Sequence, residues 1–233
     1  MTDTTPVPPR RRLYGRRQGP KLRPLAVSLL ADLLPGVEFA VTPGTPLDPR
    51  ALFPDPPGEM RLEIGFGGGE HLAAQAASHP GIGFLGVEPF VNGVAKLLRE
   101  VQARGLGNVR VLRDDARLLL GVLPTASLDR VDVLFPDPWP KLRHHKRRIV
   151  NSTTLADLAR VIRPGGELRL ATDDPDYARW MLAAVLAEPR LAWTARRADD
   201  WREPPADWVP TRYEAKARRA GRRPVFLRLR RRD

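Results

Sequence analysis

The sequence predicts an α/β protein built on a doubly wound, mostly parallel sheet with helices on both faces. Three observations point there. From residue 60 onward, short apolar runs alternate with stretches of helical spacing; a glycine-rich turn follows the first run; and acidic residues stand at the ends of successive runs. Alternation of this kind implies crossover connections, and such sheets bind ligands beyond the carboxyl ends of their strands.

Residues 1–24, rich in Pro and Arg, read as a flexible basic N-terminal arm, and residues 25–233 as a single domain with a basic C-terminal tail. Within the domain, 25–34 has helical spacing and 35–58 is a Pro-rich connection. Strands are expected at 60–64, 82–87, 109–112, 131–135, 167–171 and 225–229, the fourth apolar enough for a strand covered on both faces. Helices are expected at 70–78, 91–104, 116–120, 152–161 and 175–186. The segment 187–210 carries Trp193, Trp201 and Trp208, and packing is the favoured role for these large rings over a substrate platform.

Composition narrows the function. The chain has 233 residues, 42% of them hydrophobic, and no apolar run reaches the roughly 18 residues of a membrane span. Its first residues lack the apolar core of a secretory signal. With no cysteine, disulfides, thiolate catalysis and Cys-ligated metals are excluded, and a reducing cytoplasm is the expected location. The net charge of +12 favours a polyanionic partner, and the charge is clustered at 10–23, 141–148 and 212–232. Nucleic acid is the implied partner; no membrane and no obligate protein partner are implied.

The first strand runs into Glu63-Ile64-Gly65-Phe66-Gly67-Gly68-Gly69-Glu70. A dinucleotide fingerprint G-x-G-x-x-G is broken because Glu70 occupies its third glycine position, and no Lys-Ser/Thr pair follows to make a P-loop. The pattern acid-x-G-x-G-x-G instead resembles the first motif of class I methyltransferases. That resemblance implies a Rossmann-like class I methyltransferase fold, with Gly65, Gly67 and Gly69 beside the methionyl part of S-adenosylmethionine and Glu63 near its ammonium group. Glu88 ends the second strand about 20 residues beyond the glycine turn, the place of an acid that accepts from a ribose diol. Asp115 follows the third strand, where the same resemblance implies an acid for the adenine amino group.

After the fourth strand comes F-P-D-P-W-P-K over residues 135–141, then R-H-H-K-R-R over 143–148. Pro136 and Pro138 stiffen the backbone around Asp137, Trp139 offers a stacking face, and the basic run can neutralise phosphates. This string resembles the signature of the tRNA (guanine-N7)-methyltransferase family. The likeness extends through Tyr14-Gly15-Arg16-Arg17, Gly86-Val87-Glu88, Asp115-Ala116, Ala171-Thr172-Asp173 and Thr211-Arg212-Tyr213-Glu214, the last differing from the family's usual T-K-F-E.

The resemblance implies Asp137 as the catalytic acid, also beside the cofactor, and tRNA as substrate, with the variable-loop guanine methylated. It further implies substrate contacts by Lys141, Arg143, His144, His145, Lys146, Arg147, Arg148, Asp173, Thr211, Arg212, Tyr213 and Glu214. Local roles compete at two of these places: Asp173 as an N-cap, and T-x-x-E at 211–214 as a capping box. The His144-His145 pair lacks further spaced ligands, and no metal is expected. Two other functions stand as alternatives. One is a different nucleic-acid base methyltransferase, disfavoured because proline flanks Asp137 on both sides where exocyclic-amine enzymes carry D/N-P-P-Y/F/W. The other is a non-catalytic RNA-binding protein on this fold, disfavoured by the intact acids Glu63, Glu88, Asp115 and Asp137.

Overall fold

The computed structural model describes residues 14, 15 and 17–233; expectations for residues 1–13 and Arg16 lie outside the described residues. The chain begins with helices α1 (Pro24–Asp32) and α2 (Leu34–Val37), then a 3-10 turn at Pro49–Leu52. The alternating part follows as β1 (Glu59–Ile64), α3 (Glu70–Ser78), β2 (Ile82–Val87), α4 (Val91–Arg104), β3 (Val109–Leu112), α5 (Ala116–Val122) and β4 (Leu128–Leu134). A second 3-10 turn, Leu142–Arg147, leads to α6 (Ser152–Val161), β5 (Ile162–Thr172) and α7 (Pro175–Leu186). The chain closes with β6 (Leu191–Trp193), α8 (Asp199–Arg202), α9 (Arg212–Arg219) and β7 (Val225–Arg231).

These strands form one sheet in the order β3-β2-β1-β4-β5-β7-β6. β1 to β5 are parallel, while β7 runs antiparallel between β5 and β6. The order reverses between β1 and β4, and a doubly wound sheet opens its ligand crevice at that switch point. α4 shows how sequence makes such an element. Val94, Leu97, Leu98 and Val101 recur at helical spacing and are buried, and Gly105 ends the helix in the left-handed region at φ 62°. Leu97 packs with Leu72, Phe84 and Val109 in one core cluster, whereas Leu155, Leu158 and Met181 pack with Val131 and Leu170 in another. Each such fully buried leucine contributes about 1.5–3 kcal/mol.

Several expected bounds move. β4 starts at Leu128 and stops before Phe135, whose φ of 51° takes it out of the strand. Its burial is also less apolar than the run 131–135 suggested, because Arg130 and Asp132 are buried and bonded to each other at 2.9 Å. β5 begins at Ile162, before its Pro-Gly-Gly stretch, with a register shift against β4. The segment 187–210 holds β6 and α8, too short for any periodicity to mark.

Described residues of both basic terminal segments bond to the rest of the domain. Arg17 accepts from Val91 N at 3.0 Å through its carbonyl, and Asn92 bonds Gly19 N and the Pro20 carbonyl at 2.8 and 2.9 Å. In β7, Arg228 pairs with Glu167 at 2.9 Å, while Arg230 and Arg231 donate to the carbonyls of Gly165 and Ile162. Among the described residues no helix is long and apolar enough to cross a membrane.

Candidate functional site

A cleft of about 740 Å³ opens at the switch point, over the ends of β1 to β4. Gly65, Gly67, Glu88, Asp115, Asp137 and Tyr213 line it, together with Tyr14, Trp139 and Arg147. The glycine turn thus meets Glu88, Asp115 and Asp137 from three different strand ends, whereas Glu63, the first of the acids expected here, is not in the lining.

The turn after β1 needs its glycines. Gly65, Gly67 and Gly69 take φ values of 73°, 59° and 76°, where a β-carbon is strained. A β-carbon on Gly65 would meet no protein atom within 4 Å, so the space beside it is open to a ligand. Gly69 instead packs on Leu97 and caps α3, and it lies outside the cleft wall. Glu88 fixes the turn: its carboxylate accepts from Gly67 N at 2.8 Å and Phe90 N at 3.0 Å. Burial raises its pKa, with those two amides pulling the other way. Gly93 presses on the same turn, and a β-carbon there would clash with the Gly67 carbonyl oxygen.

Glu63, the acid expected near the methionyl ammonium, stands on β1. It is buried, lies outside the cleft lining, and bonds His71 Nδ1 at 2.7 Å. Burial raises the Glu63 pKa. At His71 burial opposes protonation, but attraction and hydrogen bonding to Glu63 together outweigh it and raise the pKa. The pair is buried together with Asp132, which neighbours Glu63 across β1 and β4. Asp115 does line the cleft, where its side chain caps α5 through Arg117 N at 3.0 Å and grips the Arg117 guanidinium at 2.5–3.0 Å.

Asp137 stands on the exposed lip of the cleft, and the surrounding protein raises its pKa by desolvation. Phe135 and Trp139, at φ 51° and 44°, bracket Pro136-Asp137-Pro138 with left-handed backbone that a non-glycine residue adopts at a cost of about 1–3 kcal/mol. Arg148 underlies this segment, and here the expected RNA contact fails. Its side chain is 1% exposed, donates to the Pro138 carbonyl at 2.8 Å, pairs with Asp176 at 2.5 Å, and stacks on Tyr177 and Trp180. By contrast Arg147 lies between the rings of Tyr14 and Trp139, 4.9 and 4.8 Å from their centroids.

Lys141, Arg143 and Lys146 are exposed around the second 3-10 turn. His144 meets Trp139 edge-on, and His145 meets Trp180 in the same way. The His144 pKa is lowered by desolvation and by the cations Arg147, Arg143, Lys141 and Lys146.

The segment 211–214 divides by burial. Thr211 and Glu214 are buried: Thr211 caps α9 by accepting from Glu214 N at 3.1 Å, and Glu214 bonds Trp208 Nε1 and Arg218. Arg212 lies over Gly68 and pairs with Glu70 at 3.1 Å, while Tyr213 lies over Gly67 with its ring in the cleft wall. Asp173 pairs with Arg222 at 2.6 Å, and the N-cap of α7 is its neighbour Asp174. Trp208 packs against Phe226, Phe135 and His71, which joins this segment to the rest of the site.

Sequence reasoning missed Gly93 and Arg117. A glycine inside a strong helical pattern is the signal for a close backbone approach, and an Arg two residues after an N-cap Asp is the signal for the clamp on Asp115.

Comparison with known proteins places this geometry among relatives. The family description "Putative methyltransferase" matches residues 58–227. The chain is 51% identical to a tRNA (guanine-N(7)-)-methyltransferase of Rhodospirillum rubrum over 95% of its own length and 88% of the relative's. It is 47% identical to a protein of the same name from Rhizobium meliloti, over 99% of this chain and 100% of that one. Among solved structures, the 16S rRNA methyltransferase KamB matches with a TM-score of 0.57 at 18% identity, over 79% of this chain and 91% of that one. TrmN from Thermus thermophilus matches with a TM-score of 0.52 at 22% identity, over 75% of this chain and 44% of that one. These two likenesses support the fold.

Proposed function

Because the chain belongs to the tRNA (guanine-N(7)-)-methyltransferase family, we propose that it methylates N7 of a guanine in tRNA, the variable-loop guanine, using S-adenosylmethionine. The observation that carries this reading is the cleft at the switch point, where the glycine turn, Glu88, Asp115 and Asp137 meet. The groups present fit the cofactor: open space beside Gly65 for the methionyl part, Glu88 for the ribose hydroxyls, and Asp115 for the adenine amino group.

S-adenosylmethionine supplies a methyl group already activated on a sulfonium. Guanine N7 carries a free lone pair, so no residue has to remove a proton, and positioning and electrostatics carry the rate. Methylation leaves the guanine cationic with no proton released. Asp137, in its carboxylate form, accepts from the Watson–Crick edge and stabilises that positive charge. Lys141, Arg143, His144, His145, Lys146 and Arg147 hold the RNA along the second 3-10 turn, and Arg212 and Tyr213 close the cleft from α9. Arg148, Thr211 and Glu214 act from behind, keeping Pro138 and Tyr213 in place. Asp173, held by Arg222, contacts the substrate outside the cofactor cleft. The cytoplasm, where tRNA is processed, is the proposed location.

The test is to incubate the protein with radiolabelled S-adenosylmethionine and unmodified tRNA transcript, then identify the labelled nucleoside. Label in 7-methylguanosine is expected. Label in another nucleoside transfers the function to a different base methyltransferase, and absence of both label and cofactor binding leaves an RNA-binding protein.

A further inference from the structure

A second groove, of about 830 Å³, lies between α6 and α7 and shares two of its walls, Tyr14 and Arg117, with the cofactor cleft. The two cavities are therefore neighbours across those side chains. The cleft is lined by acids, but among the described residues no Asp or Glu lines this groove; Lys146 and His145 line it together with the hydroxyl residues Ser152 and Thr153. Its size is within the roughly 300–1,000 Å³ of small-ligand pockets, which suits one nucleotide.

Trp180 supplies the apolar wall. Its Nε1 donates to the Val150 carbonyl at 2.7 Å, which fixes the ring; the Arg148 guanidinium stacks on the ring at 5.0 Å, and the ring remains half-buried at the groove. His145 leans edge-on against it at 5.4 Å, and the His145 Nε2 is shielded from solvent without a hydrogen-bond partner. A fixed aromatic face beside cations and hydroxyls is how proteins hold an unstacked ribonucleotide: the base stacks and the phosphate is neutralised. None of Ser152, Thr153 and Trp180 belongs to the cofactor cleft.

We infer that this groove is a subsite for the nucleotide adjoining the target guanine, with its base on Trp180 and its phosphate at Lys146, Ser152 and Thr153. The inference rests on the tRNA methylation reading and deepens it. Stacking in this subsite pulls the neighbouring nucleotide out of its own stack, which helps to present the guanine edge to the cleft.

The decisive variant is Thr153→Glu. Thr153 is exposed in the first turn of α6, where an added carboxylate favours the helix, so the fold is expected to be unharmed. A phosphate in the groove is repelled by the same carboxylate. Thr153→Glu is therefore expected to keep the wild-type Tm and S-adenosylmethionine affinity, while tRNA binds roughly tenfold more weakly. Trp180→Leu is paired with tRNA transcripts made abasic at each position flanking the target. Wild type is expected to lose kcat/KM on one abasic transcript, and Trp180→Leu to show no further loss on it. Unchanged tRNA affinity in Thr153→Glu, or additive losses for Trp180→Leu and the abasic site, overturns the subsite. Wild-type formation of 7-methylguanosine on intact tRNA, scored in parallel, tests the underlying function separately.

Discussion

Burial pulls two adjacent arginines apart in role. Arg147 and Arg148 are alike in the sequence, both within one basic run, yet one lies between aromatic rings at the cleft mouth and the other is an internal prop for Pro138. Arg148→Ala is expected to cost about 1–3 kcal/mol, the range for leaving a buried acceptor unpaired, and to show as a lower Tm. Asp137 is the opposite case, a residue whose place the flanking prolines made legible. Asp137→Asn is expected to lower turnover by about 10²-fold or more while cofactor affinity, read by calorimetry, stays within a few-fold. Its raised pKa, like that of Glu88, moves protonation above the usual carboxylate range near 4, so kcat/KM should fall on acidification sooner than for an ordinary carboxylate. Gly93 makes a purely steric prediction. Gly93→Ala drives a methyl into the Gly67 carbonyl, with an expected cost of about 1–3 kcal/mol and a loss of S-adenosylmethionine affinity. An unchanged Kd would mean that the turn shifts without consequence.

Elements were legible where a period could repeat. The bounds of α3, α4, α6, α7, β2 and β3 agree with the sequence reading because each has several apolar positions in register or a clean Gly, Pro or Asn boundary. β6 and α8 have neither, and β5 starts early because Ile162 pairs with Leu128 before the Pro-Gly-Gly stretch, which the register skips. The T-x-x-E pattern at 211–214 was readable both as cap and as substrate contact, and burial separates them: Thr211 and Glu214 serve α9, leaving Tyr213 toward the cleft. Thr211→Ala is expected to cost about 1 kcal/mol and to raise KM for tRNA more than it lowers kcat. Between β1 and α3, the Glu63–His71 pair links stability to pH. With its folded pKa raised, His71 stabilises the fold fully below its unfolded value near 6.5, and that contribution is lost as pH rises through the folded value. The Tm should decline across that window, and His71→Gln should flatten the decline; a parallel slope in the variant would assign it elsewhere.

At the scale of the whole molecule, the net charge of +12 spoke for a polyanion but could not say which cations face it. Arg228, Arg230 and Arg231 are engaged with Glu167 and backbone carbonyls, whereas Lys141, Arg143 and Lys146 are exposed beside the cleft. The strand order has a further consequence, for the timing of assembly. β7 lies between β5 and β6, so β6 has no neighbour in the sheet until residues 225–231 have been synthesised, although it precedes them in the chain. Pairings this distant in sequence close slowly. A ribosome that pauses between β6 and β7 therefore holds a nascent chain with the edge of β5 open, and an open edge is a template for pairing with another chain. Translation speed through residues 194–224 would then govern how much of the protein reaches its native state instead of aggregating.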